Sequence, residues 1–374
     1  MDFFNNIRVL ELASVLAGPS VGQFFAELGA AVIKVENMHG GDVTRHWKTK
    51  DEKSDDRSAY FCAVNWGKRS IALDLNSPEG KAIVHKLAKG SQIVISSYKP
   101  GDAEKLGVDY LTLSSLNPSL IYGQITGYGP DVHRVGYDAV IQAESGFMFM
   151  NGEPGGTSLK MPVALIDVLA AHHLKEGILL ALLNAYHFKK GGYVSVSLVD
   201  AAVSSLVNQA TNYLMTGKIP TKQGSSHPNI APYGDIFRSK DDVELILAVG
   251  SNKQFISLCE ILNIAHLVAD ERFSSNVQRV RHREELNVVI QNRIIDLEAA
   301  DLMTLLVKQN IPGGVVQNLH DVFSSPSLQH LIYKAGCVSG IRSYVGNSSV
   351  VKPDLSPPPH YGEHTIEILN ELDR

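Results

Sequence analysis

Short apolar runs alternate with helical spacing through the first hundred residues. IRVLEL (7–12) gives way to a helical stretch over about 20–29, which leads into AAVIKVE (30–36). Such alternation predicts a parallel sheet whose strands are joined by crossover helices. SIALDL (70–75) runs into Asn76-Ser77-Pro78-Glu79. There Ser77 can cap a helix, Pro78 suits the first helical position, and Glu79 favours the positive end of the dipole. QIVIS (92–96) and LIYGQIT (120–126) read as two further strands covered on both faces. Residues 168–188 carry the strongest helical signal and are apolar on more than one face. That helix belongs deep in the protein or in a subunit interface. YVSVSLVD (193–200) and another helix follow.

The pattern then changes. KQGSSHPNIAPYG (222–234) is dense in Gly, Ser, Pro and Asn, marking an irregular connection and the expected change of domain. IFRSKDDVELILAVG (236–250) predicts two antiparallel strands about a Lys-Asp-Asp turn, followed by helices over 252–262, 280–295 and 298–309. Pro353 and Pro357 to Pro359 precede a short amphipathic helix and read as an extended strap. A chain of 374 residues exceeds what one hydrophobic core usually supports. The expected fold is α/β: an open Rossmann-like parallel-sheet domain over 1–222, a smaller α+β domain over 223–330, and a strap over 331–374 returning to the first domain.

Composition narrows the function. With 44% hydrophobic and 20% charged residues, the chain has the make-up of an ordered globular protein. The net charge is -5 and the basic residues are scattered, so neither nucleic acid nor an acidic membrane surface is an expected partner. Cys62, Cys259 and Cys337 have no CxxC or Cys/His spacing, which fits a reducing compartment with each thiol a small buried hydrophobe. The N-terminus lacks the pattern of a signal peptide. The apolar region 161–186 holds Asp167, His172, His173, Lys175 and Glu176, too many polar groups for a membrane span. The expectation is a cytoplasmic protein with a small-molecule partner.

Familiar catalytic signatures fail. GPSVG (18–22) lacks the third glycine of a dinucleotide fingerprint, and neither a P-loop nor GxSxG occurs. His173 and Glu176 have the spacing of a di-iron ligand pair, but no second pair faces them. No metal is expected, and His172 and His173 are assigned to an internal face. Asp167, at the start of the long helix, has two readings. It can cap the helix. It can also be a nucleophile, kept ionised by the dipole while Leu165, Ile166 and Val168 withhold water.

Several segments together resemble the CaiB/BaiF family, the class III coenzyme A transferases. They are VLELASVLAGPSVGQFFAELGAAVIKVE (9–36), GGDVTRHW (40–47), GKRSIALDLNSPEGK (67–81), YKPGDAEKLG (98–107) and ITGYGP (125–130). GYDAVIQAESG (136–146), the Asp167 segment, SHPNIAPYG (226–234), IPGGVVQNLHDVF (311–323) and GEHT (362–365) continue the match almost end to end. The resemblance implies an interlocked homodimer and an acyl-CoA:carboxylate CoA-transferase, with coenzyme A as co-substrate and no metal. Asp167 would pass through an anhydride and an aspartyl-CoA thioester.

By position in the family's motifs, Lys99, Lys105 and Arg134 would meet the CoA phosphates, and the stretch from Leu73 to Asn76 the adenosine. Leu16, Ala17, Ser97, Tyr98 and Tyr137 would line the rest of the CoA site. Trp47, Tyr60 and His227 would lie near the substrate. The plain alternatives are solvated charges for the cations and ordinary packing for the aromatics.

Two departures refine the expectation. The family's racemases carry Gly-His-Asp where this chain reads Gly136-Tyr137-Asp138, and a glutamate in the segment that here runs Val249 to Gln254. Transferase is favoured over racemase, with a non-catalytic CoA-binding subunit as a further alternative. The formyl-CoA:oxalate branch has glutamine where this chain has Leu16, and a tetraglycine loop where it has Ser225 to Asn229. Oxalate is therefore disfavoured as acceptor.

Overall fold

The computed structural model describes residues 3–346 and 354–374, so Pro353 of the strap lies outside the described residues. The chain divides into two compact units. The first takes in Met1–Phe147, Lys160–Gly217 and Leu328–Arg374; the second Met148–Leu159 and Lys218–Ser327. Residues 148–159, which the sequence reading leaves with the large domain, group with the second unit, where Gly152 O accepts the Gly224 N–H at 3.0 Å.

Six strands build the main sheet of the first unit: β1 (Arg8–Leu12), β2 (Ala31–Asn37), β3 (Lys68–Leu73), β4 (Ile93–Ser96), β5 (Ile121–Thr126) and β6 (Gly192–Ser197). They pair in parallel in the order β3-β2-β1-β4-β5-β6. Strands β4 and β5 are buried along their whole length, as expected where helices cover both faces. The chain leaves β1 toward β2 on one side and reaches β4 on the other. That reversal opens a crevice beyond the carboxyl ends of β1 and β4, the usual ligand site of such sheets.

Helix Ala17–Glu27, hereafter the AGP helix, starts three residues before the expected 20–29 and is buried throughout. The reason is packing. A Cβ on Gly18 would lie 2.4 Å from Ala13 Cβ, and one on Gly22 only 1.8 Å from Glu11 Oε2. These glycines serve close helix–sheet approach. Strand β3 likewise starts two residues before the expected Ser70, because Lys68 is 1% exposed and forms an ion pair inside the sheet. The Ser77 cap is present: its Oγ accepts Gly80 N–H at 3.0 Å, ahead of helix Pro78–Lys89. YVSVSLVD divides at Ser197, which ends β6 and caps helix Leu198–Ser204 by accepting Asp200 N–H at 3.0 Å.

The long helix, Leu165–Phe188, packs Ile166, Ala170, Leu174 and Ile178 into the core it shares with the AGP helix. Its C-terminal half leaves Leu180, Leu183, Tyr186 and Phe188 exposed. His172 is exposed and His173 half-buried 3.7 Å from Glu176, so neither lines an internal face as expected; the neighbouring buried positions on this helix are taken by Ala171, Leu174 and Lys175. Cys62 and Cys259 are buried, but Cys337 is exposed, because it sits at the turn between β10 (Ile332–Ala335) and β11 (Val338–Ile341). The end of that hairpin is tied down by buried Glu27, which accepts the Ser343 and Tyr344 N–H groups at 2.8 and 2.7 Å. Helix Thr365–Leu372 adds Ile368 to the core on the other face of the sheet.

In the second unit, β7 (Tyr233–Arg238) and β8 (Glu244–Ala248) form the expected hairpin, and β9 (Gly313–Val315) adds an antiparallel edge. Helices Asn252–Ile261, Arg283–Ile294 and Ala299–Lys308 supply its core. The expected helix over 280–295 is split. A separate short helix, Asn276–Arg281, is capped by Ser275.

A buried ion network links strand ends in the first unit. Glu11, wholly buried, holds Lys34 Nζ at 3.0 Å and Lys68 Nζ at 2.7 Å. Each amine also donates to a backbone carbonyl, Lys34 to Ala13 O at 2.7 Å and Lys68 to Pro19 O at 2.8 Å. Removing Glu11 leaves the buried Lys68 amine without a carboxylate and Lys34 with Asp42 alone. Glu11→Ala should lower the unfolding free energy by about 3–5 kcal/mol in urea denaturation; an unchanged midpoint would show that the network adds nothing.

Candidate active site

The crevice beyond β1 and β4 narrows into a cavity of about 180 Å³. The turn after β1 supplies Ser14 to Gly18, the turn after β4 supplies Ser97 and Lys99, and Asp167 comes from the first turn of the long helix. Arg134 and Tyr137 complete the wall. Thus Leu16, Ala17, Ser97, Lys99, Arg134 and Tyr137 meet around Asp167.

Asp167 does not cap its helix. The N-cap is Ala164, which offers no side-chain bond, and the Ile166 N–H is taken by Asp138 Oδ1 at 2.7 Å. Asp138 is itself fixed by Gln142 Nε2 at 2.7 Å. The Asp167 carboxyl is 8% exposed, with no hydrogen bond or ion pair among the described residues. Burial, and then the charge of Asp138, push it up to about 7. This corrects the expectation that the helix dipole keeps it ionised. Desolvation and a like charge outweigh the dipole, because the capping role has gone to a second carboxylate nearby. Sequence reasoning passed over Asp138, although its place directly after Tyr137 in a family motif was a usable signal.

The other expected residues divide into groups. Leu73, Asn76 and Tyr98 line a separate cavity of about 130 Å³ beyond β2 and β3. Lys105 lines neither cavity: its amine lies 3.3 Å from Asp102, which also holds Lys99 at 3.4 Å. Arg134 donates to Glu144 at 3.0 Å and lies 4.4 Å over the Tyr128 ring. Each expected phosphate cation therefore already faces a carboxylate. Trp47 and Tyr60 pack edge to face at 5.1 Å outside both linings. The Tyr60 phenol is pushed up to about 12 by burial and by the charges of Asp167 and Asp138. His227 belongs to the second unit, edge-on to Tyr233 at 5.0 Å, with Nδ1 accepting Asn229 N–H at 3.1 Å. Burial and Arg283 lower its pKa.

Val15 was also missed. It lines the cavity with φ +72°, a conformation that β-branched residues avoid. No residue pattern announces such a conformation.

The description of CoA-transferase family III matches residues 4–365. The chain belongs to that family. A succinate–glutarate CoA-transferase of Agrobacterium fabrum is 39% identical over 99% of this chain and 95% of its own length. The human succinyl-CoA:glutarate CoA-transferase is 32% identical over 98% and 85%. Among solved structures, a CaiB/BaiF family protein from Brucella suis superposes with a TM-score of 0.86 at 38% identity, covering 99% of both chains. This family III member is therefore a CoA-transferase, and its six-stranded parallel sheet with a small antiparallel sheet is the family's fold.

The Asp167 environment has a stability consequence. Its carboxyl titrates near 7 when folded and near 3.8 when free. The folded state therefore binds the extra proton between those values, and stability is lost as pH rises through that window. Below about 4 there is no penalty, and above about 7 it is complete. Asp167→Asn should raise the unfolding free energy over the parent by about 2–4 kcal/mol at pH 8 and leave it unchanged at pH 4. A difference independent of pH would show that Asp167 is not perturbed.

Proposed function

We propose that this enzyme transfers CoA from a dicarboxylic acyl-CoA to a dicarboxylic acid, with Asp167 as the covalently acylated group. The observation that carries the reading is a carboxyl that lines the cavity, is stripped of hydrogen-bonding partners and is shielded from water. A carboxylate so placed is a stronger nucleophile than a solvated one. The names of relatives that join succinyl-CoA or succinate with glutarate support this substrate class.

In the first step an Asp167 oxygen attacks the thioester carbon and the C–S bond breaks, giving a mixed anhydride and CoA thiolate. The thiolate then attacks the Asp167 acyl carbon and the donor leaves as a carboxylate carrying one Asp167 oxygen. The acceptor carboxylate attacks the resulting aspartyl-CoA thioester and expels the thiolate again. The thiolate takes the acceptor acyl group from the second anhydride and restores Asp167. Every step exchanges one activated carboxyl for another. The negative charge that develops on each tetrahedral oxygen is assigned to the Ala17 and Gly18 N–H groups at the open end of the AGP helix. Coenzyme A would run from this cavity past Ser97 and Tyr98 toward Leu73 and Asn76, with Lys99, Lys105 and Arg134 turning from their carboxylates to its phosphates. Trp47 and Tyr60 remain candidates for the acyl-group surroundings.

We also read the exposed apolar side chains Leu180, Leu183, Tyr186, Leu214 and Met215 as a homodimer surface. Sedimentation equilibrium should return about twice 40.7 kDa; a mass of 40.7 kDa at micromolar concentration would contradict it.

Asp167→Ala should cut succinyl-CoA:glutarate exchange by at least roughly 1,000-fold while CoA still binds. In the unmodified enzyme kcat/KM should rise with pH through about 7 and level off, as the attacking carboxylate forms. Retained turnover in Asp167→Ala would end the proposal.

A further inference from the structure

We infer that Asp42 is a positioning residue for this reaction, holding the Ser14–Leu16 turn in the strained form that presents the Ala17 and Gly18 amides to the Asp167 cavity. The inference rests on the reading of Asp167 as nucleophile given above. The turn follows β1 and precedes the AGP helix, and its central residue, Val15, has φ +72°. A branched side chain at positive φ persists only where the surroundings over-determine it. Here they do.

Four contacts pin the turn. Ala13 O accepts from Lys34 Nζ at 2.7 Å, and Ser14 N–H donates to Ser97 Oγ at 3.1 Å. Val15 N–H donates to Asp42 Oδ1 at 3.4 Å, and beyond the turn Pro19 O accepts from Lys68 Nζ at 2.8 Å. Asp42 joins two of these. Its Oδ2 lies 2.9 Å from Lys34 Nζ while its Oδ1 faces Val15.

Asp42 is 3% exposed and cannot swing away. Its own N–H donates to Glu36 Oε2 at 2.9 Å, and Glu36 is clamped by Arg45 Nε and Nη2 at 2.8 and 2.6 Å. Oδ1 also accepts from Thr44 N–H and Oγ1, at 3.0 and 2.8 Å. The result is a rigid acceptor placed against the one residue whose backbone would otherwise relax. Relaxation of Val15 would turn the chain just before Ala17 and Gly18, whose N–H groups have no hydrogen-bond partner among the described residues. A small displacement of such donors costs rate far more than affinity.

The test is a double-mutant cycle on the full-length enzyme, read as kcat and KM for succinyl-CoA and glutarate. Asp42→Ala should lower kcat by ~10–100-fold with KM within about threefold. Adding Val15→Gly to Asp42→Ala should recover kcat at least ~5-fold, because glycine takes positive φ without steric cost. Lys34 lacks its Asp42 partner in both variants, so a merely structural role predicts no recovery. Unchanged kcat in Asp42→Ala, or no recovery on adding Val15→Gly, would overturn the inference. If Asp42→Ala does not fold, Asp42→Asn, which keeps the volume and one acceptor, takes its place. There a kcat within ~10-fold of the parent, or a larger loss that Val15→Gly recovers, supports the holding role. A larger loss that Val15→Gly leaves untouched overturns it. Single-turnover trapping separates the two readings: the Asp42 variants should form the Asp167 adduct more slowly, whereas no adduct in the parent would indict Asp167 itself.

Discussion

Glu11, the next-to-last residue of β1, holds two buried lysines, one from β2 and one from β3, and each lysine grips a carbonyl of the loop or helix that follows β1. The geometry of the site depends on this arrangement. A buried charge network is weak evidence for stability, since an apolar replacement can be as stable. What it supplies here is position. Strand order, the start of the AGP helix and the strained turn at Val15 are tied to the same two amines, so the cavity wall inherits the rigidity of the sheet. Gly22 has no Cβ because the Glu11 carboxylate occupies that space.

Asp167 stands at the opposite extreme. The network carboxylates have lysine, arginine or backbone partners, whereas Asp167 has no hydrogen bond or ion pair among the described residues and feels the charge of a second carboxylate, Asp138. The cap that a carboxylate at this helix start would ordinarily provide comes from Asp138, which leaves Asp167 uncommitted. Functional groups held this way cost folding energy that the rest of the core must offset.

The sheet was legible in the sequence because buried parallel strands read as continuous apolar runs, and the starts of β1, β2, β4 and β5 lay within one residue of expectation. What escaped were features that depend on partners distant in sequence. Lys68 looks solvated until Glu11 is brought beside it. β9 is too short, at three residues, to show a pattern before β8 pairs with it. Residues 148–159 join the second unit through Gly224, seventy residues on. At the site, Asp167 and its cavity neighbours were reached through family motifs; helix chemistry alone left a cap as the simpler reading. The dipole argument gave too little weight to burial and then to the charge of Asp138, which together raise the carboxyl's pKa. Nothing local marks Asp42 or the φ of Val15, since both are consequences of packing.

The central claim is that Asp167 exchanges oxygen with both acids. The direct test is one turnover of succinyl-CoA with glutarate labelled with oxygen-18 in its carboxylates, followed by mass analysis of the peptide that holds Asp167. The account predicts that one labelled oxygen is left on Asp167, and that in a second turnover it passes to the released succinate whenever it is the oxygen that attacks. A peptide that stays unlabelled while labelled glutaryl-CoA accumulates would contradict the account, because transfer would then bypass the aspartate.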